Sequence, residues 1–575
     1  MSKQPSPKSR KFLDRIRRHD STEWLSPPKL EKLHPTPEKS PPSAASKAIA
    51  ARAVLPKPHH LRYDSTDNPA KSDAHGPAEA PAGAAGAARA SPAQASWEPW
   101  AAAALGLVAR HACSLHPYSG EATPPRFGDY EAHRHWMEVT TSLPLSEWYT
   151  HDVAYWGLDY PPLMAYVEWA LGLASRKFDA ASVALDASRG YETPAHRAFM
   201  RATVLVLDAA VCVSALAALA ARLETTPRRR AAAMVMALSS PALILVDHGH
   251  FQYNCLPLGL TLWCAYCVDA RRPLVAAFFF SLALQTKQTA LYYAPAVFCE
   301  LLGRALRGGG AFQRPSEETT AAAAFLRVAA LGAVVVFTTA GLWLPLLRAG
   351  AGMAALRRCF PVERGLFEDK VANAWYAAHV VLRVRDRIPT NILVALAAVA
   401  TAVASFGPGL ARCARVARRT AAPSLSGFLW ALHASGLAFF LFSYHVHEKG
   451  VLVPLAPLLP LASSEPFYAT AFSLAAAWTM LPLLYFEGLA PAYGALQALH
   501  ALAAAAMSDG AASAARGFAT LAPLHALPAL VAPPVRYPDL YPCLVALAGA
   551  GGFALAFLYA AYRVVVADGK GRKSA

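Results

Sequence analysis

FMRATVLVLDAAVCVSALAALAA, residues 199–221, is followed seven positions later by Arg228-Arg229-Arg230. An apolar run of about 20 residues is what a helix needs to cross the hydrocarbon core of a bilayer. A basic cluster just past such a run marks the cytosolic flank. Working outward, comparable runs recur at 321–345, 427–443 and 543–562, and none precedes Trp97. A soluble core would have to bury all of them at once, so the pattern predicts an all-α, multi-spanning membrane protein.

Composition agrees. The 575 residues are 55% hydrophobic and only 16% charged, against about 25% charged in ordinary soluble domains. The net charge of +16 does not indicate a nucleic-acid surface, because the basic residues lie in the N-terminal tail and in short clusters between apolar runs. Residues 1–95 are rich in Pro, Ser, Ala and Lys and poor in aromatic and β-branched residues. They are expected to be a disordered, basic, cytosolic tail. Residues 96–567 are expected to form one membrane domain, and 568–575 a basic cytosolic C-terminus. The nine cysteines are scattered, and the CxxC of Cys264 and Cys267 sits in an apolar run without a second pair, which argues against a zinc or redox site.

Parity then orders the chain. With the N-terminal tail cytosolic, a first span near 97–113 delivers residues 114–198 to the lumen as a large first loop. Residues 247–254, 285–289, 357–390 and 445–449 also fall on the lumenal side, and 228–230, 269–272, 304–314 and 412–419 on the cytosolic side. Extending the count gives about 14 spans. Residues 163–175 are too short to span and are expected to lie along the lumenal interface.

The polar groups concentrate at span ends on the lumenal side, where ionisable side chains next to hydrocarbon usually serve a function. The densest group runs from Gly128-Asp129-Tyr130-Glu131 to Trp136 and Glu138, followed by Asp159-Tyr160. The others are Asp247-His248-Gly249-His250-Phe251-Gln252-Tyr253-Asn254, Lys287-Gln288, the stretch containing Arg364, Glu368, Asp369 and Asn373, and His445-Val446-His447-Glu448-Lys449. Carboxylates, imidazoles and aromatic faces together suit sugar hydroxyls and sugar faces. A solvated loop with an interfacial aromatic belt would look similar in composition. His445, His447 and Glu448 do not have the HExxH spacing of a metal site, so no metal is expected.

At these motifs the chain resembles a known family. GDYEAHRHWMEVTTSLPLSEWY (128–149), YWGLDYPPL (155–163), SRGYE (188–192), DHGHFQYN (247–254), FPVERGLFEDKVANAW (360–375) and HVHEKG (445–450) are similar to those of the dolichyl-phosphate-glucose-dependent α-1,3-glucosyltransferases. These enzymes act on the lipid-linked oligosaccharide of N-glycosylation in the endoplasmic reticulum. The resemblance covers about 97–490 and leaves the Ala-rich segment beyond it outside. It implies a GT-C fold, an active site in the lumen, and two lipid substrates: dolichyl-phosphate glucose and the dolichyl-pyrophosphate oligosaccharide. RGYE, HGHFQYN and FEDKVANAW side with the enzyme adding the first glucose rather than the paralogue adding the second.

The resemblance further implies that Asp129 is the catalytic base. Glu131 is the fallback, because in an extended loop residues two apart face the same way. His445, His447 and Lys449, with Lys287 and Arg364, are the implied donor-phosphate contacts. Trp136, Asp159, Tyr160, His250, Gln252, Asn254, Glu368, Asp369 and Asn373 are the candidate sugar contacts. Transfer from a β-linked donor to an α product inverts the sugar. A phosphate leaving group, with a second pKa of about 6, departs without a general acid, so one carboxylate base suffices and positive charge steadies the phosphate. A transporter would instead place ionisable groups mid-helix in two matching halves, and no internal repeat is visible. Another GT-C transferase would share the Asp loop but lack the HGHFQYN and FEDKVANAW combination. The terminal Arg572-Lys573 resembles a dilysine-type retrieval signal.

Overall fold

The computed structural model describes residues 97–308, 320–360 and 370–566. The expectations placed on 1–95, on 568–575 and on Arg364, Glu368 and Asp369 lie outside the described residues. Among those described, the regular structure is helical throughout, with no strand.

The apolar runs become long helices with their boundaries fixed by local chemistry. Residues 199–221 extend to α4 in the series α1 (Glu98–Ser114), α2 (Gly128–Ser142), α3 (Pro162–Phe178) and α4 (Pro194–Leu223). Thr193 caps α4 by accepting from the His196 N–H at 3.2 Å, and Pro194 occupies the first position, where its missing N–H is harmless. The same Thr-Pro device starts α5 (Pro227–Leu238), where Thr226 accepts from Arg229 N–H. α6 (Pro241–Phe251) follows α5 at a bend of 54°, and together they are long enough for one broken span or a re-entrant loop.

Beyond α6 come α7 (Cys255–Asp269), α8 (Pro273–Leu284), α9 (Ala294–Arg307), α10 (Ala321–Arg348), α11 (Thr390–Ala417), α12 (Leu425–Phe442), α13 (Leu481–Phe486) and α14 (Leu540–Val566). α4, α10, α11, α12 and α14 are each long and apolar enough to cross a bilayer; the α5–α6 pair would make a sixth span. This is a multi-pass membrane protein. The larger number of spans expected from sequence is not seen as single long helices. Several apolar stretches are interrupted: 452–461 contains Pro454, Pro457 and Pro460, and 466–486 breaks after Thr479.

Polar groups bind the bundle internally as well. Asp208 lies in a π-helical turn of α4 (Asp208–Val213). It accepts from Arg110 Nε of α1 at 2.6 Å and pairs with His248 Nε2 of α6 at 2.8 Å. All three are nearly inaccessible. The pairing is what allows charges this deep. At the same turn α7 approaches so closely that a Cβ on Gly259 would lie 2.7 Å from Cys212 Cα.

Residues 114–198 form a packed helical cap, not an open loop. α2 and α3 pack against each other, with Met164, Ala165, Glu168 and Gly172 buried. The span-like segments after 490 also join the bundle: Gln497 of Ala490–Met507 donates to Leu474 O at 3.1 Å. An apolar cavity of about 720 Å³ opens between Pro466–Thr479 and α14, lined by Tyr468, Phe472, Trp478, Phe553 and Tyr559. None of the charged groups described next lines it.

Candidate active site

The site begins with a tight crossing. Gly128 has φ +67°, and a Cβ there would meet the Ser119 carbonyl at 2.5 Å. Only glycine fits, and it starts α2 with Asp129 in the first turn, where the helix dipole favours a negative charge. The Asp129 N–H donates to Ser119 Oγ at 3.3 Å.

Three donors from two other parts of the chain converge on one oxygen of Asp129. Oδ2 lies 2.8 Å from His250 Nε2, 2.5 Å from Gln252 Nε2 and 2.7 Å from Lys449 Nζ. Oδ1 accepts no hydrogen bond from a described residue, and the side chain is 23% exposed. Burial alone would raise the Asp129 carboxyl. The Lys449 ammonium and the hydrogen bonds from His250 and Lys449 outweigh that and hold it well below the usual carboxylate range. Burial likewise opposes the Lys449 charge, but Asp129 and Glu448 prevail and push its pKa up.

The backbone of α6 explains the convergence. Its last turns, Leu245–Phe251, are π-helical; Phe251 then takes φ +85°, and Gln252 is extended. A buried phenylalanine at positive φ is a strained choice, and it lets His250 and Gln252 address the same oxygen. Arg201 of α4 pins the turn by donating to His248 O at 2.6 Å and Gly249 O at 2.9 Å.

The network continues outward. Gln252 Oε1 accepts from Lys287 Nζ at 2.9 Å and from Tyr160 OH at 3.2 Å. Lys287 also donates to Asn254 Oδ1 at 2.8 Å, and Asn254 Nδ2 donates to Asp247 Oδ1 at 2.8 Å. Lys287 sits 5.1 Å from the centre of the Tyr160 ring. Its burial, with repulsion from Lys449, brings its pKa down to about 8. On the far side of His250, Nδ1 lies 2.6 and 2.7 Å from the two oxygens of Glu487.

Asp129, Lys449, Lys287, His250, Gln252, Asn254 and Tyr160 are therefore one constellation. Of the other sequence candidates, Trp136 touches it through the Tyr160 ring, 4.8 Å between centroids. Glu131 is not on an extended loop but two residues along a helix, turned about 200° from Asp129. Both its oxygens bond Arg134 at 2.7 Å, Tyr155 OH adds a third bond, and it is 1% exposed. It is a strut inside the cap, with Arg134 and Glu138. Trp136 is buried, its indole N–H donating to Trp156 O at 2.8 Å. Asn373 caps Ala374–Leu382, accepting from Tyr376 N–H. The Asp159 carbonyl receives the Gln288 amide. The His445 and His447 rings pack edge to face at 4.9 Å on the turn that carries Lys449. Among the described residues no group of three or more His, Cys, Asp or Glu side chains is arranged to hold a metal. Glu487 was missed from the sequence. Its one signal was a lone carboxylate closing the apolar run before Gly488.

Comparison with known proteins follows the same residues. A profile of the ALG6, ALG8 glycosyltransferase family matches 106–559. It therefore takes in the segment after 490 that the motif resemblance left out, which carries no polar motif yet packs as part of the bundle. The chain is 41% identical over 397 residues to the mouse protein named dolichyl pyrophosphate Man9GlcNAc2 alpha-1,3-glucosyltransferase, covering 68% of this chain and 75% of that one. Against the Drosophila melanogaster protein named as the probable enzyme of the same title, it is 37% identical over 475 residues, covering 80% and 96%. Against the Saccharomyces cerevisiae protein it is 36% identical over 397 residues, covering 67% and 70%.

Proposed function

The chain belongs to the ALG6, ALG8 glycosyltransferase family, and from that premise we propose that it adds the first glucose, α-1,3-linked, to dolichyl-pyrophosphate-linked Man9GlcNAc2. The three relatives described above are similar along at least 67% of this chain. The donor in this reading is dolichyl-phosphate glucose. The setting is the endoplasmic-reticulum membrane, with a GT-C-type bundle of about 14 crossings and the Asp129 site on the lumenal side.

The observation that carries the chemistry is the asymmetry of Asp129: Oδ2 is held by three donors and Oδ1 is open. A carboxylate fixed at one oxygen and free at the other can receive a proton from the mannose hydroxyl that attacks the glucose C1. The bond from C1 to the phosphate oxygen breaks as the new C–O bond forms, and the electron pair leaves with the phosphate. Lys449 and Lys287 supply the positive charge that steadies it. Without donor, Lys449 neutralises Asp129. When the donor phosphate draws Lys449 away, Asp129 becomes more basic at the moment a base is needed. No metal takes part in this scheme, so turnover in excess chelator should match turnover without it.

The test uses purified full-length protein in lipid, dolichyl-phosphate glucose, and each acceptor separately. Transfer to the Man9GlcNAc2 lipid and not to the monoglucosylated one is expected. A site that hydrogen-bonds a terminal mannose leaves polar groups unpaired against glucose, which is worth several powers of ten. Preference for the monoglucosylated acceptor would reverse the acceptor assignment.

A further inference from the structure

We propose that Glu487 is a positioning residue for this transfer: it keeps His250 as an imidazolium clasped between two carboxylates, so that Asp129 presents its open oxygen in one fixed orientation. The proposal rests on Asp129 being the base.

Each ring nitrogen of His250 faces a carboxylate. Nε2 lies 2.8 Å from Asp129 Oδ2, and Nδ1 lies 2.6 and 2.7 Å from the Glu487 oxygens. A neutral imidazole has one N–H and one lone pair. It could satisfy only one of these carboxylates: with its proton on Nδ1, the Nε2 lone pair would face Asp129 and accept from Lys449 Nζ at 3.0 Å, a partner it loses when Lys449 turns to the donor phosphate. Only the imidazolium donates to both. The ring and Glu487 are 2% and 4% exposed, so water does not offer a substitute partner. The charged groups around the ring are Asp129 from α2, Glu487 following α13, and Lys449 from the turn after α12, whose Nζ is 3.0 Å from Nε2. Two cations face two carboxylates, a balanced set. Lys287 reaches the ring only through Gln252.

The surrounding chain holds this arrangement rigid. The His250 carbonyl accepts from Ser119 N–H at 2.9 Å, and Arg201 fixes the two preceding carbonyls. Glu487 sits where α13 ends, with Gly488 at φ +72° and Leu489 N–H closing on Leu484 O at 2.8 Å. A carboxylate at a helix C-terminus works against the helix dipole, so local helix stability does not explain it. Its partner His250 does. If Lys449 transfers to the donor phosphate, His250 is the cation left on Asp129, and Glu487 is what keeps it charged.

The test compares Glu487→Gln, Glu487→Asp and Asp129→Asn in the full-length enzyme across pH. Gln retains an acceptor for the Nδ1 proton and nearly the same volume, so a purely structural strap would leave the pH profile unmoved. The expected result for Glu487→Gln is a kcat lower by about tenfold or more. The alkaline limb of kcat at saturating donor moves to lower pH, and donor KM is little changed. Glu487→Asp, which restores the charge, recovers the wild-type limb even if its rate or yield is reduced. A Glu487→Gln enzyme with wild-type kcat and profile would overturn the proposal. So would a Glu487→Asp profile that matches Gln. Near-normal turnover in Asp129→Asn would instead bring down the base assignment, and this proposal with it, whatever Glu487 does.

Discussion

Asp129→Asn keeps the side chain's shape and its acceptor oxygen but removes the basic one. Turnover should fall by roughly 10² to 10⁴ with donor binding retained, as single-turnover and equilibrium donor-binding assays would show. Lys287 gives a pH prediction. With its pKa down at about 8, it is protonated below that pH and loses its charge above it. Donor KM should therefore rise as pH climbs through about 8, and Lys287→Arg, always charged, should remove that rise. An unchanged KM profile in the wild type would separate Lys287 from the donor phosphate. At this scale the sequence picked out Asp129, Lys449, Lys287 and Gln252, side chains that the structure gathers into one cluster. It misled where orientation decided. Glu131 shares a motif with Asp129, but a helical rather than extended backbone sends it into the cap. Glu487 stands outside every quoted motif, and its meaning comes from His250, 237 residues away in sequence.

At the scale of elements, apolar run length located the long helices α4, α12 and α14, whose starts lie a few residues upstream of the runs. It did not reveal the π-helical turns in α4 and α6, or the 54° bend between α5 and α6, because they come from tertiary demands on Asp208 and His250. Gly259 reports one such demand. A methyl group there would strike the backbone of the α4 turn at 2.7 Å. Gly259→Ala should destabilise the protein by about 1–3 kcal/mol, seen as a lower thermal midpoint in detergent. Gly494→Ala, with no atom within 4 Å of the added carbon, is the control and should leave the midpoint where it was. Equal midpoints for the two variants would mean the α4–α7 contact tolerates separation.

For the whole molecule, α7 leaves the site at Asn254 and α8 returns to it at Lys287, so the Arg271-Arg272 turn between them lies at the opposite end. At that end Arg222 pairs with Asp269. The Asp129 cluster and the Arg271-Arg272 turn thus lie at opposite ends of α7 and α8, the separation parity counting expects of these two groups; the number of crossings was harder to read, since proline breaks divide apolar stretches in ways composition does not reveal. Glycosylation acceptor tags inserted near 532 should be modified and tags near 225 should not. The first segment precedes Asp539, which pairs with Lys370 at 2.8 Å, in the stretch 357–390 that parity counting assigns to the lumenal side. The reverse pattern would invert the topology. The Lys449–Asp129 contact has a consequence for selectivity against water. An activated sugar beside an ever-ready base would be lost to hydrolysis each time the acceptor was slow to arrive. In the proposed scheme donor binding itself frees the base, because the donor's phosphate is what claims Lys449. An acceptor already in place at that moment leaves no water at Asp129 Oδ1 to be activated, so little glucose is spilled between encounters.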